Sequence, residues 1–170
     1  LVIVANTHVE RDGLPLDIAD EHYYNQTEWF AKNVGIYDTY DREGPDIFVG
    51  EFAVGTGPVR TLYPAIGEAM FMIGMERNQD IVKLAAYAPL FENVHYRGWN
   101  PNLIAFDNLR SCAIPSYYPW KLFGSHRGEA VVESCLDSPE IQSPLMRGGA
   151  VALGSAGVSY RDCLWNGAPV

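Results

Sequence analysis

The chain has 170 residues, 48% of them hydrophobic and 12% aromatic, with a formal net charge of −9. That apolar content excludes a disordered segment and suffices for one core of ordinary size. The negative charge, with no basic stripe to offset it, excludes nucleic acid as a partner, and no apolar run approaches the roughly 20 residues of a membrane-spanning helix.

Leu1 to Asn6 is a continuous apolar run that reads as a buried strand. No Met, cap or turn precedes it, so the chain is expected to start inside a larger protein. Ile18 to Tyr24 is a second strand, introduced by Gly13-Leu14-Pro15. Thr27 to Arg42 reads as a helix with Phe30, Val34, Tyr37 and Tyr40 three and four residues apart, and Gly44-Pro45 ends it. Asp46 to Val54 is a third strand. Pro58 to Asn78 is the clearest helix, with Leu62, Ile66, Ala69, Met70 and Ile73 as its apolar stripe. Ile81 to Leu90 is a fourth strand. Repeated β–α–β units of this length imply a parallel sheet.

From Pro89 to Pro101 the chain reads as a long irregular loop, of the kind that often carries function. Leu103 to Phe106 is a short strand and Tyr117 to Phe123 a helical turn. Beyond Gly124 the texture changes to Gly, Ser and Pro without helical periodicity. Ala150 to Leu153 and Val158 to Leu164 read as short strands, and Asn166-Gly167 as a turn. The division is therefore an α/β part over residues 1–123 and part of an all-β module over 124–170.

One carboxylate does not fit its strand. With strict alternation, Ile47, Val49, Glu51 and Ala53 share one face of the third strand, and Phe48, Phe52 and Val54 lie on the other. Both faces are otherwise apolar, as in a parallel strand buried on both sides. A carboxylate there costs several kcal/mol unless it has partners or a job. In a (β/α)8 barrel, residues near the C-terminal ends of strands point into the active site, and Glu51 sits near such an end. It is thus either catalytic or a structural carboxylate, exposed or paired with a buried Arg. Asp20, His22 and Tyr24 share one face of the second strand, and His22 and Tyr24 could hydrogen-bond and orient that carboxylate. Alone, His22 reads better as a satisfied core histidine.

Trp99 and Asn100 lie in the loop after the fourth strand, where Trp99 suits stacking on a sugar face or anchoring the loop. Tyr87, Tyr96 and Trp120 read as packing residues, Glu68 and Glu76 as ordinary helix charges, and Asp107 and Asn108 as weak candidates for lining the site. Cys112, Cys135 and Cys163 make an odd, widely spaced set and read as buried or incidental free thiols. No cofactor or metal motif is present: Gly55-Thr56-Gly57 lacks the Lys and spacing of a phosphate loop, and His8, His22, His95 and His126 are scattered. Asn25-Gln26-Thr27 fits the N-glycosylation pattern. It points to a secreted or extracellular protein, with an intracellular one as the alternative.

Several ordered segments resemble the family 51 α-L-arabinofuranosidases. They are Asp20-Glu21-His22-Tyr23-Tyr24-Asn25, Glu28-Trp29-Phe30, Tyr37-Asp38 with Tyr40-Asp41-Arg42, Gly44-Pro45, and Phe48-Val49-Gly50-Glu51-Phe52-Ala53-Val54. Glu68-Ala69-Met70-Phe71, Tyr87-Ala88-Pro89-Leu90-Phe91, Trp99-Asn100-Pro101 and Pro115-Ser116-Tyr117 continue the series. The resemblance implies the C-terminal half of a (β/α)8 TIM barrel, strands five to eight, followed by part of a β-sandwich. It implies Glu51 as the catalytic nucleophile, His22 and Tyr24 as its supports, and Trp99 and Asn100 as substrate contacts. The family's acid/base, a Glu following an Asn, has no counterpart, because no Asn-Glu pair occurs in the chain.

The implied reaction is release of terminal α-L-arabinofuranosyl residues from plant cell-wall polysaccharides with retention. The implied partner is an arabinose-containing oligo- or polysaccharide. The rest of the barrel is expected from missing sequence or another chain, and homo-oligomerisation is compatible with the sequence. A xylosidase or endoglucanase of the same barrel type, or a non-catalytic carbohydrate-binding fragment, are the alternatives.

Overall fold

The computed structural model describes residues 1–6 and 16–133, together with the backbone of 164–165 and 168–169. Strands β1 (Val4–Asn6), β2 (Ile18–Asn25), β3 (Asp46–Val54) and β4 (Val82–Tyr87) form one parallel sheet in chain order. This is the sheet that repeated β–α–β units require, since a parallel neighbour can be reached only through a crossover.

Helix α1 (Thr27–Lys32), a 3-10 turn at Ile36–Thr39 and helix α2 (Leu62–Arg77) cover one face of that sheet. Ala19, Ile47, Val49, Phe52 and Val54 supply the sheet's side of the core. Phe71 of α2 is its hub. Its ring lies 5.3 Å from Phe30, 5.6 Å from Tyr23, 5.7 Å from Phe52, 5.9 Å from Trp29 and 6.0 Å from Tyr37. All five pairs are edge-on or tilted, the arrangements the ring quadrupoles favour.

The helix expected over 27–42 is interrupted after Lys32. Asn33 donates its side-chain amide to the Trp29 carbonyl at 2.8 Å, and its backbone N–H goes to the same oxygen at 3.0 Å. That side chain caps the helix where its own sequence would otherwise continue. The chain then passes so close to α2 that a Cβ at Gly74 would collide with the Val34 carbonyl.

This close approach also explains why α2 does not bury its most apolar stripe. Leu62, Ile66, Met70 and Ile73 are exposed, at 43%, 50%, 38% and 53%. The buried face is Pro64, Ala65, Gly67, Glu68, Phe71, Met72, Gly74 and Met75. Small residues on that side bring the backbone near α1, and the large Phe71 fills the remaining gap. The helix also begins at Leu62 rather than Pro58, after a turn closed by Thr61 N–H to the Pro58 carbonyl at 3.2 Å.

Strand β4 ends before the cis Ala88–Pro89 bond. The stretch read as irregular holds β5 (Phe91–Asn93), which pairs in parallel with β6 (Ile104–Phe106); β7 (Ser111–Ala113) adds antiparallel to β6. Helix α3 (Tyr117–Ser125) follows, and its Trp120 packs on Phe52 at 5.2 Å and Tyr87 at 6.3 Å. Tyr96, expected to pack, is 85% exposed. Cys112 is disulfide-bonded rather than a free thiol; Cys135 and Cys163 lie outside the described residues. So do the strands expected at 150–153 and, except for its last residue, at 158–164. The backbone of β8 (Leu164–Trp165) pairs antiparallel with β9 (Ala168–Pro169), on either side of Asn166-Gly167.

Phe71→Ala is expected to lower stability by about 3–5 kcal/mol through the cavity it leaves. Gly74→Ala should cost about 1–3 kcal/mol by pushing α2 from Val34. Thermal or denaturant unfolding of the two variants checks both values.

Candidate functional site

The face of the sheet away from the helices carries the polar groups. Asp20 pairs in register with Phe48 and His22 with Glu51, so three residues of β3 advance against two of β2. This is a β-bulge, and beyond it the side chains of β3 change faces. Ile47 and Val49 therefore point into the helix-covered core with Phe52 and Val54, while Glu51 points to the opposite face with Phe48. Strict alternation, which put Glu51 beside Ile47 and Val49, fails at this one extra residue. Gly50 lies at the bulge because a Cβ there would collide with the Asp20 carboxylate.

Glu51 is 41% exposed at the C-terminal end of β3. The Tyr24 hydroxyl donates to its Oε2 at 2.9 Å and lies 3.1 Å from the Ala88 carbonyl, so its single proton has two acceptors. Burial, the bond to Glu51 and that carboxylate's charge push the Tyr24 phenol above its ordinary range. It therefore stays protonated, and a donor, at any working pH. His22 Nδ1 stands 3.6 Å from Glu51 Oε2, an ion-pair distance when the ring is charged. Its Nε2 lies 3.1 Å from Asp20 Oδ2. One carboxylate is thus flanked by a phenol and an imidazole, and the imidazole is steered from behind by a second carboxylate.

Trp99 completes the wall. Its ring is 54% exposed and meets Tyr24 edge-on, with centroids 6.0 Å apart at 67°. Asn100, in the same loop, accepts from Arg60 Nε at 2.8 Å. Arg60 donates to both oxygens of Glu92 at 2.9 Å, and Asn102 donates to Glu92 at 2.7 Å and to the Trp99 carbonyl at 2.6 Å. Arg60, Glu92 and Asn102 escape a reading of the sequence. Glu92 lies in a strand that reads as loop, and only the fold brings it to Arg60. Asp107 is engaged locally: its Oδ1 accepts the backbone N–H groups of Leu109 and Arg110, both at 2.7 Å.

Glu68 differs most from its expected role as a surface charge. It is 1% exposed and accepts the Val54 N–H at 2.7 Å, bracing the end of β3 from behind. Burial raises its carboxyl to about 7, with the Ser116 hydroxyl and the Val54 N–H pulling the other way. Among the described residues no group of His, Cys, Asp and Glu could hold a metal ion.

An exposed carboxylate, a protonated phenol and an apolar ring thus surround one point. The sequence profile of the α-L-arabinofuranosidase C-terminal domain matches residues 50–153. An extracellular exo-α-L-arabinofuranosidase of Streptomyces chartreusis is 39% identical over 148 residues, 86% of this chain and 18% of that protein. Alpha-L-arabinofuranosidase 1 of Arabidopsis thaliana is 33% identical over 153 residues, 87% of this chain and 21% of that protein. A family 51 α-L-arabinofuranosidase solved with arabinose bound superposes with a TM-score of 0.70 at 34% identity, covering 76% of this chain and 23% of that one. The chain thus spans about a fifth of the length of the relatives it matches.

Because the Glu68 carboxyl titrates near 7 folded and near 4.5 unfolded, its neutral form favours the folded state. That contribution is complete below the unfolded value and is lost as pH rises through about 7, a fall of roughly 3 kcal/mol. Glu68→Gln, which keeps the acceptor for Val54, should flatten the pH dependence of melting between about 4.5 and 7 and raise stability above it. An unchanged pH profile would show that Glu68 does not titrate in that window.

Proposed function

The chain belongs to the α-L-arabinofuranosidases of glycoside hydrolase family 51, and from that premise we propose that it carries one half of the catalytic pair of a retaining glycosidase. Glu51 is the nucleophile. Its Oε2 is engaged by Tyr24, leaving Oε1 to attack the anomeric carbon of a terminal α-L-arabinofuranosyl unit. A carboxylic acid outside this chain protonates the departing glycosidic oxygen as the bond to it breaks. The arabinosyl–Glu51 ester is then attacked by water, which that same outside residue deprotonates, and arabinose leaves with its configuration retained. The two carboxyl groups should stand about 5–5.5 Å apart in the intact protein.

The observation that carries this reading is the Tyr24–Glu51 bond at the C-terminal ends of adjacent parallel strands. Such a bond fixes the carboxylate's direction and leaves one oxygen open. His22 adds a positive or polar neighbour on the same side, and Trp99 and Asn100 receive the sugar. The four in-order parallel strands, with polar groups on the face away from the helices, support a half (β/α)8 barrel over residues 1–123, with a β-sandwich beginning at 124. The substrate is an arabinose-bearing oligo- or polysaccharide of plant cell walls. A disulfide at Cys112 favours an oxidising compartment, which supports secretion.

On a panel of nitrophenyl glycosides, the intact protein should cleave the α-L-arabinofuranoside best; preference for a xyloside or cellobioside would transfer the site to another glycosidase. Glu51→Gln should lower kcat at least about a thousand-fold, ~4 kcal/mol, with the circular dichroism spectrum unchanged. Normal turnover by that variant would sink the assignment. Tyr24→Phe removes one hydrogen bond to a charged group, about 1.5–3 kcal/mol, so kcat/KM should fall about 10- to 150-fold.

A further inference from the structure

The loop that presents Trp99 and Asn100 has few contacts of its own, since residues 95 to 100 are all exposed. What fixes it is a buried ion pair beneath. Glu92, with 3% of its side chain exposed, takes two bonds from Arg60 and one from Asn102, and Arg97 lies 3.2 Å from its Oε1. Asn102 passes the constraint to the Trp99 carbonyl, and Arg60 Nε passes it to the Asn100 side chain. Arg60 itself belongs to the segment between β3 and α2, directly after the strand of Glu51. One guanidinium therefore ties the segment after β3 to β5 and to the loop between β5 and β6.

Arginine has only donors, so the Asn100 oxygen must face it. The Asn100 NH2 is thereby directed outward, and among the described residues nothing accepts from it. Trp99 stands beside it, edge-on to Tyr24, whose hydroxyl holds Glu51. The loop thus offers a hydrogen-bond donor next to an apolar ring, the pair of features that a sugar hydroxyl beside a C–H face would meet.

We propose that Arg60, locked by Glu92, is a positioning residue that sets this loop for sugar binding, Asn100 Nδ2 being the donor it presents. The proposal rests on the glycosidase reading above. Because Arg60 touches neither the reacting carboxylate nor, by this geometry, the sugar, it acts through Asn100 and Trp99. Its loss should weaken ground-state and transition-state binding alike, which raises KM and leaves kcat nearly unchanged.

The test is steady-state kinetics of the intact protein on nitrophenyl α-L-arabinofuranoside. Arg60→Lys keeps the charge against Glu92 but cannot reach Glu92 and Asn100 with one fork. Asn100→Asp, at an exposed position, keeps an oxygen for Arg60 and exchanges the outward donor for a charged acceptor. Both are expected to raise KM about tenfold with kcat within about twofold. A merely structural role lowers the active fraction, reducing kcat at constant KM, and that pattern in Arg60→Lys would overturn the proposal. So would an unchanged KM in Asn100→Asp. If the wild-type protein cleaves no glycoside, the glycosidase reading fails and this inference with it; activity with unaltered KM in both variants overturns this inference alone.

Discussion

Parallel strands in register share their faces, so an extra residue in one strand sends every later side chain to the other side. In β3 that residue falls between Phe48 and Glu51. Without it Glu51 would point, with Ile47 and Val49, into the helix-covered core beside Phe30 and Phe71, where an unpaired carboxylate costs several kcal/mol. With it, Glu51 reaches the polar face and meets Tyr24 and His22 from the neighbouring strand. Gly50 and Asp20 make the bulge sterically possible, because the missing side chain of one is filled by the carboxylate of the other. The bulge, the glycine and the histidine's orienting partner are therefore one device.

The helix-covered side supplies the rigidity that such a device needs. Phe71 touches five aromatic rings from β2, α1, the 3-10 turn and β3, so a shift of β3 would disturb all of them. Glu68 anchors the last peptide of β3 from the same helix. A site built on such a strand is held more tightly than one on a loop. Trp99 and Asn100 do lie on a loop, and the buried Arg60–Glu92 pair supplies there what strand packing supplies for Glu51.

Much of this was readable from residue order. The β–α alternation, the parallel sheet, and the shared face of Asp20, His22 and Tyr24 follow from periodicities of two and 3.6. The misfit of Glu51 in an apolar strand was visible too, but its facing was not, because a bulge leaves no mark in the hydrophobic pattern beyond one glycine. The exposed stripe of α2 misled for a related reason: both sides of that helix are apolar, and small residues, not large ones, decide which side approaches α1. Glu68 reads as surface charge and Glu92 goes unnoticed in a stretch that reads as loop, because the burial of both depends on contacts far away in sequence. The break at Asn33 turns on one side-chain bond to Trp29, which propensity alone does not reveal.

The central claim is that Glu51 forms a bond to the sugar, and covalent labelling tests it most directly. The intact protein would be incubated with an electrophilic cyclitol of α-L-arabinofuranose configuration, digested, and mapped by mass spectrometry. The account predicts a single adduct on Glu51, prevented by excess arabinose and absent from Glu51→Gln. An adduct on another carboxylate would contradict it, as would continued turnover with no adduct on Glu51.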